Sequence, residues 1–248
     1  MLAEIDDVVV VTPYGEVTCQ TGKLAGRSVA FIPRHGRHHS IPPHLINYRA
    51  NIWALKKLGV QKILATTAVG SLNAAMKPGD LVLPNQLLDF TKTRVATFYE
   101  GGTRGVVHVD MTLPYCNTLR QAVMAAAADL KLPVHHGACY VCTEGPRFET
   151  AAEIRAYAML GGDLVGMTGV PEAVLAREAE MCYASVSMVT NFAAGISPAP
   201  LTHAEVIDTM KQNAANIRAL LHRTITAAIP AEDCACQHSL REFGGFKF

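Results

Sequence analysis

Apolar positions along this chain fall into two kinds of run. Stretches rich in Val, Ile and Leu at 8–12, 28–33, 62–69, 80–84, 134–142, 163–166 and 182–190 predict strands. Between them the apolar positions recur at a helical spacing. Residues 43–58 open on Pro43, put Leu45, Tyr48, Ile52 and Leu55 on one face, and stop at Gly59. Thr150 and Glu153 form a capping box ahead of a helix over 154–160, which Gly161-Gly162 closes. A short helix starts at Pro171. Thr202 and Glu205 form a second capping box, with Ile207, Met210, Ala214, Ile217 and Leu221 as the apolar stripe behind it. Strands alternating with helices predict an α/β fold, a sheet flanked by helices. No repeat, linker or low-complexity stretch interrupts the pattern. One domain over 1–230 and a short polar tail over 231–248 are expected.

Composition narrows the class. The chain has 248 residues, half of them hydrophobic and 17% charged, with a formal net charge of +1. It is long enough to bury a sizeable core, and its charge gives no reason to expect nucleic acid or a membrane as partner. No apolar run reaches the roughly 18–20 residues that span a bilayer. Asp6 and Asp7 precede the first apolar run, the wrong flank for export, so the cytoplasm is the expected location. Seven cysteines are too scattered for a disulfide scaffold. Cys139 and Cys142 share a strand-like run and tend to face opposite ways, which favours packing over metal or redox use. Cys234 and Cys236 lie in the polar tail as an exposed pair, read as two free thiols in a reducing compartment.

The candidate chemistry gathers at strand ends and in the loops that follow, where open α/β sheets bind ligands. Arg34 and His35 follow the strand ending at Pro33 and suit an oxyanion, with Gly36 allowing close backbone approach. A solvated basic turn is an equally good reading. His35, His38 and His39 lack the carboxylate or cysteine spacing of a metal site. The hydroxyls and backbone N–H groups of residues 66–71, Thr-Thr-Ala-Val-Gly-Ser, suit phosphate, and the plain alternative is a glycine turn. Gly166-Met167-Thr168-Gly169 leads from a third strand into a helix, and Met167 is equally suited to filling core. Phe148 beside Glu149, and Asn191 at the end of an apolar run, offer a ring face, an acceptor and an amide. A purine with oxygen at C6 fits them: Glu149 accepts from N1–H, and the Asn191 amide donates to O6 and serves N7.

Taken together, the stretches at 34–59, 66–72, 143–153, 166–179 and 189–191 resemble the trimeric purine nucleoside phosphorylase and methylthioadenosine phosphorylase family. The likeness runs from about Thr12 to the tail. It implies a mixed, twisted sheet among helices and reversible phosphorolysis of a purine nucleoside. By that resemblance Arg34, His35, Thr67, the Ala68 backbone and Thr168 hold phosphate, and Met167 lies against the ribose. Phe148 packs on the base, with Glu149 and Asn191 at its edge; Asn191 and His35 are the residues expected to carry the chemistry. Phosphate is a co-substrate, and neither cofactor nor metal is expected. The implied partners are a purine nucleoside and phosphate, in a homotrimer or hexamer.

The substrate follows from departures within the family. Members acting on 6-aminopurines carry aspartates where this chain has Asn191-Phe192-Ala193, and a small hydroxyl residue in place of Glu149. An asparagine donates to a carbonyl and Ala193 accepts nothing, so inosine or guanosine is expected. His203 falls where nucleoside-type members contact the 5′-hydroxyl; a histidine decorating a helix start is the plainer reading. His108 matches a histidine that methylthio-type members lend to a neighbouring subunit, which keeps 5′-methylthioinosine or methylthioadenosine open. The family usually begins with a strand and a Gly-Gly-Ser/Thr-Gly phosphate loop, whereas the sequence starts Met1-Leu2-Ala3, near where that segment ends. A non-catalytic purine-binding protein on the same fold is therefore a further alternative.

Overall fold

The computed structural model describes residues 3–196, 203–227 and 234–248, and for 203–206 the backbone alone. Strand β1 (Ala3–Thr12), β2 (Gly15–Leu24) and β3 (Arg27–Phe31) make an antiparallel three-stranded sheet. β1 reaches back well before the apolar run at 8–12. β2 was not predicted, because only Val17, Cys19 and Leu24 are buried along it and polar residues separate them.

The larger sheet has seven strands: β4 (Lys62–Ser71), β5 (Leu81–Leu83), β6 (Gln86–Phe90), β7 (Val134–His136), β8 (Cys139–Thr143), β9 (Leu164–Gly166) and β10 (Cys182–Phe192). Their order is β6-β8-β9-β4-β10-β5-β7. β10 runs parallel to β4 and antiparallel to β5, and β9 runs antiparallel to β4, so the sheet is mixed. The run at 134–142 is two strands rather than one. Gly137, at φ +102°, breaks it, after which β7 pairs with β5 while β8 pairs with β6 and β9. The strand expected to end at 69 runs on through Gly70 and Ser71, so the whole Thr66–Ser71 stretch lies within β4.

Helices α1 (Tyr48–Lys57), α2 (Asn117–Asp129), α3 (Ala151–Met159), α4 (Gly169–Glu178) and α5 (His203–Thr226) cover the sheet. Pro43 starts only a short 3₁₀ turn; the α-helix begins after Asn47, whose side chain accepts from Ala50 N–H. α2 gave little warning, since its Ala-rich stretch has a weak apolar stripe and its N-cap is Cys116. The capping box of Thr150 and Glu153 is present at α3, and α4 begins two residues ahead of Pro171. β10 is buried from Cys182 to Asn191. Trp53, Leu175 and Tyr183 belong to the core on one side of the sheet, and Val123, Val186 and Leu220 to that on the other.

Residues 234–248 pack on this body. Leu240 is fully buried, its N–H and that of Phe246 donate to Glu180, and the Phe246 ring sits 5.1 Å from that of Trp53. Cys234 and Cys236 are consequently not an exposed pair: Cys236 is buried and both lie beside Cys116 and Cys182. Among the described residues no helix is long and apolar enough to cross a membrane.

Candidate active site

The central pair β4 and β10 sets the geometry. Tyr183, Ser185 and Ser187 alternate onto one face of β10. On that face the Thr67 hydroxyl lies 2.9 Å from that of Ser187 and 3.5 Å from that of Ser185. α4 packs on the same face, where Tyr183 Oη donates to Glu172 Oε2 at 2.8 Å. β9 pairs with β4 only at Gly70 and Ser71, so among the described residues the edge of β4 before Gly70 has no strand neighbour on that side. Ala68 sits on this open edge and is exposed, while Thr67 and Val69 beside it are buried.

Arg34 is drawn into this opening. Its Nη1 donates to Thr66 O at 2.8 Å, and its Nε and Nη2 donate to the two oxygens of Glu172 at 2.5 and 2.9 Å. Burial works against a charge on Arg34, but the Glu172 carboxylate overrides it and holds the guanidinium pKa above its ordinary value. The pair is neutral overall, so Arg34 offers an anion its two remaining N–H donors more than a net charge. Glu172 lies one turn from Thr168, which puts Arg34 close to the start of α4. There the Tyr140 hydroxyl accepts from both Thr168 N–H and Gly169 N–H at 3.3 Å. Gly166 makes this approach feasible, since a Cβ on it would lie 2.3 Å from the Tyr140 oxygen. Thr168 is buried and its hydroxyl caps nothing, leaving it available to a ligand.

His35 is half-buried, with Nδ1 bonded to Ile41 O at 2.9 Å. A carbonyl partner requires the proton on Nδ1, so in the neutral ring Nε2 is an acceptor. Burial, with smaller contributions from His39 and Arg34, pushes the His35 pKa down from its ordinary 6.5. The His35 and His39 rings stack at 4.5 Å. The three histidines do not form a cluster of ligand atoms among the described residues.

The base-reading pair sits at the ends of β10 and β8. A bulge at Thr190 shifts the register so that Asn191, not its predecessor, faces Gly70. A Cβ on Gly70 would come within 3.2 Å of the Asn191 amide nitrogen, so the glycine gives that side chain its room. Asn191 is 5% exposed; its Oδ1 accepts from the Thr190 hydroxyl at 2.7 Å and its Nδ2 donates to Phe192 O at 2.8 Å. One amide N–H is therefore left for a ligand, not two. Glu149 Oε1 accepts from the Thr143 hydroxyl at 2.6 Å, and among the described residues no donor reaches Oε2. Met167 lies over Gly145, where a Cβ would meet its sulfur at 2.6 Å. Phe148 is 43% exposed and Ala193 is buried.

The structure thus draws Arg34, Thr67, Ala68 and Thr168 around the open edge of β4, and Glu149, Met167 and Asn191 around the adjoining strand ends. It does not bring His108 to them; that residue is exposed in an irregular loop. His203 is the first residue of α5, and its side chain lies outside the described residues. Two residues were missed in the sequence. Glu172 lies inside the matched stretch 166–179, but nothing there marks it as the partner of Arg34. Arg94, only 2% exposed in its side chain, donates to the carbonyls of Thr143 (3.1 Å), Glu144 (2.5 Å) and Met167, tying the ends of β8 and β9 together. A lone arginine in the polar stretch 91–97 carries no sequence signal for such a role.

A profile of the Phosphorylase superfamily matches residues 2–226. The 6-oxopurine nucleoside phosphorylase of Pyrococcus furiosus is 55% identical over 235 residues, covering 93% of this chain and 89% of the relative. The probable S-methyl-5′-thioinosine phosphorylase of Methanothermobacter thermautotrophicus is 53% identical over 232 residues, covering 93% and 80%. A crystal structure of methylthioadenosine phosphorylase from an antarctic soil metagenomic library superposes with a TM-score of 0.91 at 37% identity, covering 97% of this chain and 86% of that one. With its sequence and its fold both matched over most of their length, the chain belongs to the phosphorylase superfamily.

Proposed function

We propose that this protein phosphorolyses 6-oxopurine nucleosides, inosine and guanosine, to the free base and ribose 1-phosphate. The observation that carries the reading is the pairing of a free Glu149 oxygen with one free Asn191 N–H, beside the Arg34, Thr67 and Thr168 set. Glu149 accepts from the purine N1–H, and the single Asn191 donor goes to the O6/N7 edge, where negative charge grows as the base leaves. Phosphate is held by Arg34, Thr168, Thr67 and the Ala68 backbone, while His35, whose Nε2 is an acceptor, takes a hydrogen bond from the protonated oxygen of hydrogen phosphate. Beneath C1′ it both attacks and offsets the positive charge of an oxocarbenium-like sugar. Phosphate supplies the nucleophile and the purine is its own leaving group, so the reaction needs no cofactor. Met167 lies against the ribose and Phe148 on the base. The protein acts in the cytoplasm, as a trimer or a multiple of three.

A second substrate, 5′-methylthioinosine, is supported by His108, by the name of the Methanothermobacter relative and by an oxopurine edge common to both nucleosides. A panel of inosine, guanosine, adenosine, 5′-methylthioinosine and 5′-methylthioadenosine, incubated with and without phosphate, tests both readings. Free base from the oxopurines, released only with phosphate and matched by ribose 1-phosphate, is expected. Equal release in phosphate-free buffer would make the protein a hydrolase.

A further inference from the structure

At the far end of the central sheet from the strand-end site, four cysteines from three segments meet. Cys116 is the N-cap of α2, Cys182 is the first residue of β10, and Cys234 and Cys236 flank the start of the short 3₁₀ turn at 235–238. Their sulfurs all lie within 4.8 Å of one another, and those of Cys116 and Cys234 are 3.6 Å apart. A disulfide needs sulfurs at about 2.0 Å. Four thiolates about 2.3 Å from a tetrahedral zinc ion lie roughly 3.8 Å from each other, a spacing between the 3.6 Å of the Cys116–Cys234 pair and the 4.8 Å within which all four fall.

We propose that Cys116, Cys182, Cys234 and Cys236 form a structural zinc site that fastens the C-terminal segment to the sheet. The donor set is all sulfur, which selects a soft tetrahedral ion, and four protein ligands leave no open position for substrate. Backbone bonds hold the ligands in place before metal binds. Cys116 N–H donates to Tyr183 O at 2.8 Å, Cys182 N–H to Gln61 O at 2.9 Å, and Gln237 N–H to Cys234 O at 2.8 Å. The surroundings are dry: Leu119 and Ala184 share the cluster's core, and Cys116, Cys182 and Cys236 are all at most 5% exposed. Cys234 is half-exposed and gives the ion its way in. The negative charge of a tetrathiolate site is met by the N-terminus of α2, where Leu119 N–H already points at the Cys116 sulfur at 3.4 Å. Binding releases the thiol protons, so the site fills more completely as pH rises. Asn191 lies nine residues along β10 from Cys182, about 30 Å away at the rise of a strand, so the ion takes no part in the proposed reaction.

The test uses the full chain, purified in a mild reductant without chelator, given zinc and desalted. Elemental analysis is expected to find about one zinc per chain, and cobalt(II) in its place to show the intense visible bands of a tetrahedral tetrathiolate. The double variant Cys234→Ser with Cys236→Ser, which leaves the sheet and helices intact, should lose both the zinc and the cobalt bands. Cys234→Ser alone, at the half-exposed position, should weaken zinc retention against a chromophoric chelator while circular dichroism stays unchanged. Chelation should lower the melting temperature of the parent and leave that of the double variant where it was. Three results overturn the proposal: zinc retained by the double variant, all seven thiols titratable with no metal bound after zinc addition, or a non-reduced mass lower by two or four hydrogens, which would mean disulfides.

Discussion

Arg34 and Glu172 show how one residue serves structure and site together. Removing the guanidinium strands a buried carboxylate that, among the described residues, keeps the Tyr183 hydroxyl as its one hydrogen-bond donor. Arg34→Ala should therefore cost about 3–5 kcal/mol of stability, read from urea denaturation, as well as raising KM for phosphate. Adding Glu172→Gln should restore much of the stability and none of the phosphate affinity. If the double variant regains phosphate affinity, Arg34 acts only as a counter-ion to Glu172. His35 has a sign that can be checked. Its folded pKa is held below the ordinary 6.5, so the stability linked to its neutral ring is present above that pH and lost as pH falls through the folded value. Urea midpoints at about pH 8 and about pH 5 should diverge less in His35→Asn than in the parent; an equal divergence would assign the pH response to other groups. Asn191→Asp exchanges the one free amide donor for a repelled carboxylate. It should slow inosine phosphorolysis by roughly one to three orders of magnitude while sparing adenosine more, since a carboxylate accepts from a 6-amino group. An unchanged ratio of inosine to adenosine activity would remove Asn191 from base reading.

At the scale of elements, the C-terminal segment is the sharpest test of what patterning reveals. Its polar composition reads as a solvated tail, yet Leu240 is fully buried against the body. Leu240→Ala should cost about 2–5 kcal/mol, the price of a large core truncation, whereas a solvated appendage would lose under about 0.5 kcal/mol. The same contrast explains which elements were legible. β4 and β10 declare themselves through long apolar runs because both lie inside the sheet, and α3 announces its start because Thr150 and Glu153 cap each other's backbone within three residues. β2 and β6 were hidden because one face or one end stays wet, so the apolar signal thins to two or three positions. The split at Gly137 was hidden because a continuous apolar run looks the same whether it feeds one partner strand or two. In the site, Arg34, Glu149 and Asn191 were legible as motif residues beside strand ends. Glu172 and Arg94 were not, because their partners lie 138 and about fifty residues away in sequence, and only the folded chain brings them together.

For the whole molecule, the remaining question is what covers the strand-end site. The irregular stretch between β6 and α2 leaves Val95, Val106 and Leu113 at 43%, 62% and 53% exposure, and Phe148 at 43% stands beside Glu149. Several large apolar side chains left out on one loop suit a surface that a second copy of the chain covers. His108 lies in the same stretch, exposed and without a role in its own chain's site. A loop lent in one direction makes a head-to-tail contact, which builds a ring where the rotation closes. The trimer proposed above is such a ring. Light scattering at assay concentration should therefore give a trimer or a multiple of three. Val106→Asp, which places a charge on the exposed loop without touching the chain's own core, should shift that mass towards monomer and raise KM for nucleoside in step. His108→Ala should leave the mass unchanged and act on nucleoside binding alone, most strongly on the 5′-methylthio substrates. A fully active monomer, or a Val106→Asp protein that stays assembled and unchanged in KM, would show that each chain completes its own site.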